Sequence, residues 1–558
     1  MLSPVAADAQ TGWRWGVDGS SRSAEVDVWG TAFSKSGYVY TAGSASSDDT
    51  ILSVITDTIF FGSTFITFPN DLFPLTITKT DSAGNFVWAF ISQYSSPVCR
   101  SMVADDSGNL YVFAYYGDSI CGLGAFTLHN PSLYTMFFLA KISPSGTVLW
   151  AKNVVPGNPG MFLGPVLSTS GIGIDEFSNV YIGAEFMLPS ITIGTSTLIN
   201  TNSTGTKTDI FLAKYYPSGN EIWARSFGGP LNDGLAGMTV TNAGTVYISW
   251  GSYSDTVTIG SSLIIAPIPS PGIRMNAITK FDSSGLPIWT KLTSRHMGVF
   301  SSVSDASDKL YLGGYTDSTF IFGADTFAAH IFFVTKLDSS GNINWVSHIS
   351  TGYDDFLSVN VDRRGYVWAC GPIAASTTYF DGHSLASPIS LAGHDPMFIV
   401  EYCPDGYYLT SFGITSSGDD YTGIGVDTFG SVYIAGDFYN VPFMVFGVDT
   451  IYLSAIESEF VAKYKPVPLT CATLGTRPRV SEPGTATKIT VYPNPVTGEL
   501  TITSSDLINE VTICNLLGQT VSVQQCNSEK VQIDVSGLSP GIFLVRINHS
   551  EVREFVKQ

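Results

Sequence analysis

Six carboxylates are the residues of this chain whose spacing could do chemistry: Asp27, Asp233, Asp354, Asp355, Asp419 and Asp420. Each stands a short, similar distance ahead of a turn that leads into a strand-like run bearing Tyr or Trp. If those runs gather around an axis, several of the acids meet at one mouth of a central channel, where carboxylate oxygens hold a cation or a polar ligand. Val98 and Met297 occupy the same place elsewhere, so the ring is incomplete, and solvated loop carboxylates are the plainer reading.

Other chemistries find less support. The sequence has no GxSxG elbow, HExxH, P-loop or GxGxxG. Its seven histidines are scattered without ligand spacing, and its seven cysteines form no CxxC, so neither a zinc site nor any other cofactor is expected. Cys514 and Cys526 are close enough in sequence to pair, but free or buried thiols are the simpler expectation, and no disulfide framework can be read from the cysteines. Lys79, Lys141, Lys214, Lys280, Lys336 and Lys463 recur ahead of one kind of turn, with Glu401 at the equivalent place in a further copy. That regularity suits a structural role, in which the stem covers apolar surface and the ammonium meets an oxygen.

The composition narrows the partners. With a net charge of −20, too few Lys and Arg are present to track a phosphate backbone, so nucleic acid is not expected as a partner. No apolar run is long enough for a transmembrane helix. Ala7-Asp8-Ala9-Gln10 resembles the end of a secretory signal, and residues 1–10 read as the remnant of a signal or leader.

The elements that would position the acids repeat seven times. SGYVYTAG, SGNLYVFA, SNVYIGA, AGTVYISW, DKLYLGG, RGYVWACG and FGSVYIAG centre on Tyr40, Tyr111, Tyr181, Tyr247, Tyr311, Trp368 and Tyr433, at intervals of 57 to 71 residues. A second motif runs strand, turn, strand and ends at Trp88, Trp150, Trp223, Trp289 and Trp345, as in ITKFDSSGLPIW. A sixth copy ends at Thr410 and a seventh, VAKYK, stops before its turn. A third is a short hairpin with Gly at 62, 124, 194, 260, 323, 382 and 447. Each unit therefore holds roughly four antiparallel strands, and such sheets bury their faces when arranged radially. The fold class is all-β: a seven-bladed β-propeller over residues 11–466, whose N-terminal strand around Trp15 completes the last blade beside Lys463. The repeats resemble the seven-bladed propeller repeats of bacterial extracellular proteins, a resemblance that speaks to architecture and not to activity.

Residues 467–487 change to a Thr-, Pro-, Arg- and Gly-containing linker, and 488–558 return to short alternating strands that read as a small β-sandwich. Three landmarks follow in order: Tyr492-Pro493-Asn494-Pro495, then Asn515-Leu516-Leu517-Gly518-Gln519, then Leu538-Ser539-Pro540-Gly541-Ile542-Phe543, with Lys557 next to the end. They resemble the type A C-terminal sorting domain of the type IX secretion system of Bacteroidetes, with Phe543 where that family more often has Tyr. The resemblance implies export to the outside or the cell surface, with the secretion machinery and its processing peptidase as partners and a cut near Thr485 to Lys488. The expected role is that of a secreted or surface-attached binding or adhesion scaffold for an extracellular glycan or protein. The alternative is a propeller enzyme acting on glycans, for which two carboxyls about 5 to 9.5 Å apart in a deep cleft would be required.

Overall fold

The computed structural model describes residues 13–466 and 490–558 together with Cys471, except for stretches at 48–55, 158–170, 266–273, 387–395 and 415–422 and several shorter ones of one to four residues. The chain divides into two compact units, Met1–Cys471 and Ala472–Gln558, and both are built from strands.

The first unit is a seven-bladed propeller. Blade one consists of Ala24–Phe33, Val39–Ser47, Leu75–Thr80 and Phe86–Ile91, paired antiparallel in that order. Blades two to six repeat the pattern from inner strands that begin at Val98, Ile172, Asp233, Met297 and Ser358. In blade seven, Gly423–Val426, Val432–Tyr439 and Glu457–Tyr464 are followed in space by Trp13–Ser20, with Trp15 opposite Lys463. Each inner strand lies beside that of the next blade, and the last lies beside the first, so the ring is closed. A two-stranded hairpin separates the second and third strands of every blade, and the tips at Gly124, Gly194 and Gly260 have the positive φ that turns of this kind require.

The recurring Gly and Trp meet across blades. The indole of Trp88 donates to the Pro144 carbonyl in the outer turn of blade two (2.9 Å), and Trp150, Trp223, Trp289 and Trp345 donate likewise to Pro217, Ser283, Ser339 and Pro404. The turn glycine lies under the same indole: a Cβ on Gly406 would stand 2.4 Å from Trp345, and Gly406 has a φ of +84°. Glycine is therefore needed there twice over, for the turn and for the neighbour's ring. Four of the repeated lysines serve the same contact, while Lys214 pairs with Asp175 of its own blade. Lys79, Lys280 and Lys336 donate to the carbonyls of Pro144, Ser339 and Pro404, and Lys463 of blade seven reaches Ser82 of blade one (2.9 Å). Each ammonium also lies over the Tyr ring of its own blade, 4.9 Å from the Tyr311 centroid for Lys336.

Buried acids tie the inner halves of the blades together. β-Bulges in the inner strands leave backbone N–H groups without a ladder partner. Val28 N donates to Asp437 of blade seven (3.2 Å), and Leu235 N donates to Glu185 of blade three (2.7 Å). Glu185 also pairs with Arg100 of blade two at 3.2 Å.

A disulfide joins Cys403, in the outer turn of blade six, to Cys471, just past blade seven. It was not legible in the sequence, because Cys403 occupies a turn position filled by Asp, Ser or Tyr in blades one to five and Cys471 lies in the linker. Among the described cysteines, Cys99, Cys121 and Cys370 are buried thiols and Cys526 is a half-buried one, and the side chain of Cys514 lies outside the described residues. The bridge closes a loop with a sequence separation of 68 residues. Cys403→Ser is therefore expected to lower stability by about 2 to 4 kcal/mol, read as a denaturant midpoint that shifts to the same extent when the unmodified protein is reduced.

The second unit carries a sheet in which Glu499–Asn515 is central, with Thr490–Tyr492, Thr520–Asp534 and Gly541–Ile547 along it and Glu551–Lys557 outside the last. Its own core contains Leu500, Ile502, Val511, Ile513, Val545, Ile547 and Phe555.

Candidate functional site

The inner strands leave a cavity of about 330 Å³ on the propeller axis, at the end where each turns into its second strand. Small polar side chains from five blades line it: Thr31, Ser101, Thr239, Ser302, Ser358 and Asn360. Apolar residues such as Ile174, Met238, Val240 and Val303 line it as well. The rim is made by the second residues of the inner turns, Lys35, Asp106, Glu176 and Asn242. Lys35 and Asp106 form an exposed ion pair at 3.0 Å, which such exposure makes worth little in energy. Neighbouring turns are also pinned to each other, with Glu176 N donating to Asn242 O and Thr428 N to Lys35 O. The arrangement can recognise a small polar ligand through hydroxyls within and both signs of charge on the rim.

Of the six acids singled out in the sequence, only the side chain of Asp233 lies among the described residues. Asp233 is fully buried at the opposite end of its inner strand. Asp27 lies in the inner strand of blade one, opposite Ser44, and its side chain is outside the described residues. Asp354, Asp355, Asp419 and Asp420 are also outside the described residues. The rim residues were missed because they lie inside the turn motif, in SKSG, DDSG, DEFS and TNAG, where their variability from copy to copy was the available signal.

Asp233 faces Asp209 across Gly228, where a Cβ would stand 2.4 Å from Asp209 Oδ1 and 2.7 Å from Asp233 Oδ2. Gly229 N donates to Asp233 Oδ2 (2.7 Å), and Thr201 donates to Asp209 Oδ2 through its N–H and its hydroxyl. The Oδ1 atoms of both acids are buried and accept no hydrogen bond from the described residues. Burial pushes the Asp233 carboxyl up to about 8, the Asp209 charge adding to it against hydrogen bonds from Ser252 and Gly229. Burial also raises Asp209. A carboxyl raised in the folded state contributes its stability below the unfolded value and loses it as pH climbs through the folded one. Stability is therefore expected to fall between about pH 4 and pH 8, and Asp233→Asn should flatten that slope and melt higher than the unmodified protein at pH 8.5. Glu401, also raised, adds a slope of the same sign in both proteins, so the comparison rests on the difference. Equal slopes would refute the assignment.

In the second unit Gly541 of the third landmark, Lys557 and the residue that follows the first landmark meet at one sheet edge. Lys557 lies opposite Gly541 in the antiparallel ladder and forms a parallel bridge with Val496, the residue after Pro495. Val496 N donates to Val556 O (2.8 Å), and Gln558 N donates to Val496 O (2.9 Å). Phe543 stacks on Phe555 with centroids 5.7 Å apart. The Lys557 ammonium donates to the Gln558 carbonyl. Tyr492 and Pro493, joined by a cis peptide, are exposed beside this edge, as is Pro495. Asn494, Leu517 and Gly518 lie outside the described residues.

Comparison with known families accounts for this edge. Residues 490–558 match the family model described as the secretion system C-terminal sorting domain. The tail is a type IX sorting domain. It marks the protein as one that is secreted or displayed at the cell surface, and no helix among the described residues is long and apolar enough to cross a membrane. Upstream of the sorting domain, a WD repeat-containing protein of Acanthamoeba polyphaga mimivirus is 25% identical over 365 residues, which is 53% of this chain and 25% of that protein. The chain thus spans about a quarter of the curated relative it matches. Among solved structures, PorZ, an essential bacterial surface component of the type IX secretion system of Porphyromonas gingivalis, is 9% identical over 97% of this chain and 100% of its own, with a TM-score of 0.14. A protein of unknown function from Dyadobacter fermentans is 9% identical over 72% of this chain and 98% of its own, with a TM-score of 0.33.

Proposed function

We propose that the propeller is a binding scaffold that the sorting domain carries to the outside, where the rim of its channel engages an extracellular glycan or protein. In this reading residues 11–466 are the cargo, 467–487 the linker and 488–558 the export signal, cut off near Thr485 to Lys488 to leave the propeller free or attached to the surface. The supporting observation is the rim itself, whose exposed Lys35 and Asp106 stand on turns hydrogen-bonded from blade to blade. Loops held on such a frame bind without an ordering cost. The test is a glycan array probed with the full-length protein and with a Lys35→Ala, Asp106→Ala, Glu176→Ala triple variant. Binding to a defined set of glycans that the triple variant loses supports the reading. A featureless array, together with no protein cross-linked at the rim on the surface of the producing cells, would sink it.

A further inference from the structure

The contact that repeats around the ring is missing at one junction. Glu401 stands opposite Trp368 and Thr410 in blade six, just as Lys336 stands opposite Tyr311 and Trp345 in blade five. Both donors that elsewhere grip the next blade's turn are thus replaced, one by an acid and one by a short hydroxyl side chain. The turn they would grip is absent as well, because the chain leaves blade seven after Lys465 and Pro466 and its outer strand comes from Trp13–Ser20. In that place lies a pocket of about 230 Å³, separate from the channel, bounded by the inner turns of blades six and seven, Glu401, Lys465 and Pro466.

The charges in this pocket are arranged by depth. Glu401 is only 3% exposed, no hydrogen bond to its carboxylate is found among the described residues, and the charges that act on it are those of Arg364 and Asp362. The other two carboxylates are engaged. Asp362 holds Arg364 at 2.7 Å and the N–H groups of its own turn, and Asp427 accepts from Phe429 N, Ser431 N and the Tyr433 hydroxyl. Toward solvent stand the exposed Arg364 and the half-buried Lys465, whose ammonium donates to the Phe429 carbonyl, and the Phe429 ring is 75% exposed beside them. Arg363 is exposed at the same turn.

We propose that this junction binds a small zwitterion with the chemistry of an amino acid, its ammonium directed inward to Glu401 and its carboxylate outward to Arg364 and Lys465. Once the ligand's ammonium ionises Glu401, three cations, Arg363, Arg364 and Lys465, balance three acids, Asp362, Asp427 and Glu401, so a ligand of zero net charge with separated ends fits better than a simple ion. Each half alone would meet only half of the site. Charge-assisted hydrogen bonds to an otherwise unbonded carboxylate are the strong kind. This site is independent of the rim, and the reading given above for the rim stands or falls without it.

The site carries its own signature. Burial pushes Glu401 up to about 8, with Arg364 opposing and Asp362 adding to the rise; Arg363, Asp427 and Lys465 share its pocket, and the Glu401 charge in turn raises Tyr464. An arriving ammonium favours the carboxylate, so binding at pH 7 releases a proton, and binding at pH 8.5, where Glu401 is mostly ionised and the ligand's ammonium is still intact, releases much less. The test is calorimetry of the full-length protein with glycine and β-alanine, and with methylammonium and acetate as half-ligands, in phosphate and in Tris buffer at pH 7 and 8.5. Expected are saturable binding of a zwitterion, at least about tenfold weaker binding of either half, and a buffer-dependent heat at pH 7. Glu401→Gln should weaken binding at least about tenfold and remove the buffer dependence. Glu401→Lys, which restores the residue of the other blades, should abolish binding without lowering the melting temperature. The proposal is overturned if no zwitterion binds, if a half-ligand binds as tightly, if the heat is independent of buffer at pH 7, or if Glu401→Gln retains affinity.

Discussion

A chain lacking Trp13–Ser20 is expected to melt several degrees lower and over a broader range than the intact protein, and to recover when a synthetic peptide of those residues is added. The strand pairs with Glu457–Tyr464 in an antiparallel register from Gly19 opposite Glu459 to Trp13 opposite Tyr464, and its far end pairs with Phe60 and Phe61. Without it, the third strand of blade seven becomes an open edge, and its unpaired backbone groups are a template for other chains. Lys463, which carries the grip of blade seven on Ser82, lies on that same strand. The loss is therefore felt both in blade seven and at its junction with blade one. Calorimetry with and without the peptide measures it, and unchanged melting after deletion would show that the ring closes without this strand.

Removing residues 490–558 should abolish export while leaving the melting temperature of the propeller unchanged. The sorting domain has its own hydrophobic core and folds as a compact unit apart from Met1–Cys471, and a unit with its own core makes no contribution to the stability of another when few contacts cross. Both forms would be expressed in a bacterium that has the type IX system, and cell fractions compared beside melting curves of the purified proteins. Normal surface levels of the shortened form would contradict the role of the tail. Retention of Lys557 in the surface protein would contradict its removal. A finer variant, Lys557→Pro, should disturb the edge where Lys557 meets Gly541 and Val496 and lower export without changing the propeller's melting.

The blades could be read from the sequence because each is a local affair: Asp-Ser-Ser-Gly starts a turn, Gly accepts positive φ, and alternation sets the faces. Even the non-local closure was legible, since GWRWGVDG was an orphan and VAKYK lacked what it supplied. What escaped depends on residues that no local pattern joins. Trp345 and Gly406 touch across blades; they belong to successive copies of one motif, and nothing within a single copy shows that its Trp packs on the Gly of the next. Asp233 was recognised as an acid at the start of an inner strand, but its burial against Asp209 depends on Gly228 leaving room between them. Glu401 was visible as the exception among the lysines. Its meaning needed the missing turn beside it, which is a property of two blades and not of one repeat.

The bridge between Cys403 and Cys471 also determines how the molecule carries mechanical load. Tension applied to any residue beyond Cys471, as when the tail is held by machinery while the body is drawn through, passes through the sulfur atoms into blade six. It bypasses Glu457–Tyr464, the strand onto which the first residues of the chain are fastened. Hydrogen-bonded strands peel one pair at a time under force, whereas a covalent bond does not. The oxidised protein thus keeps this strand pairing out of the line of pull, and a reduced one has it directly in that line.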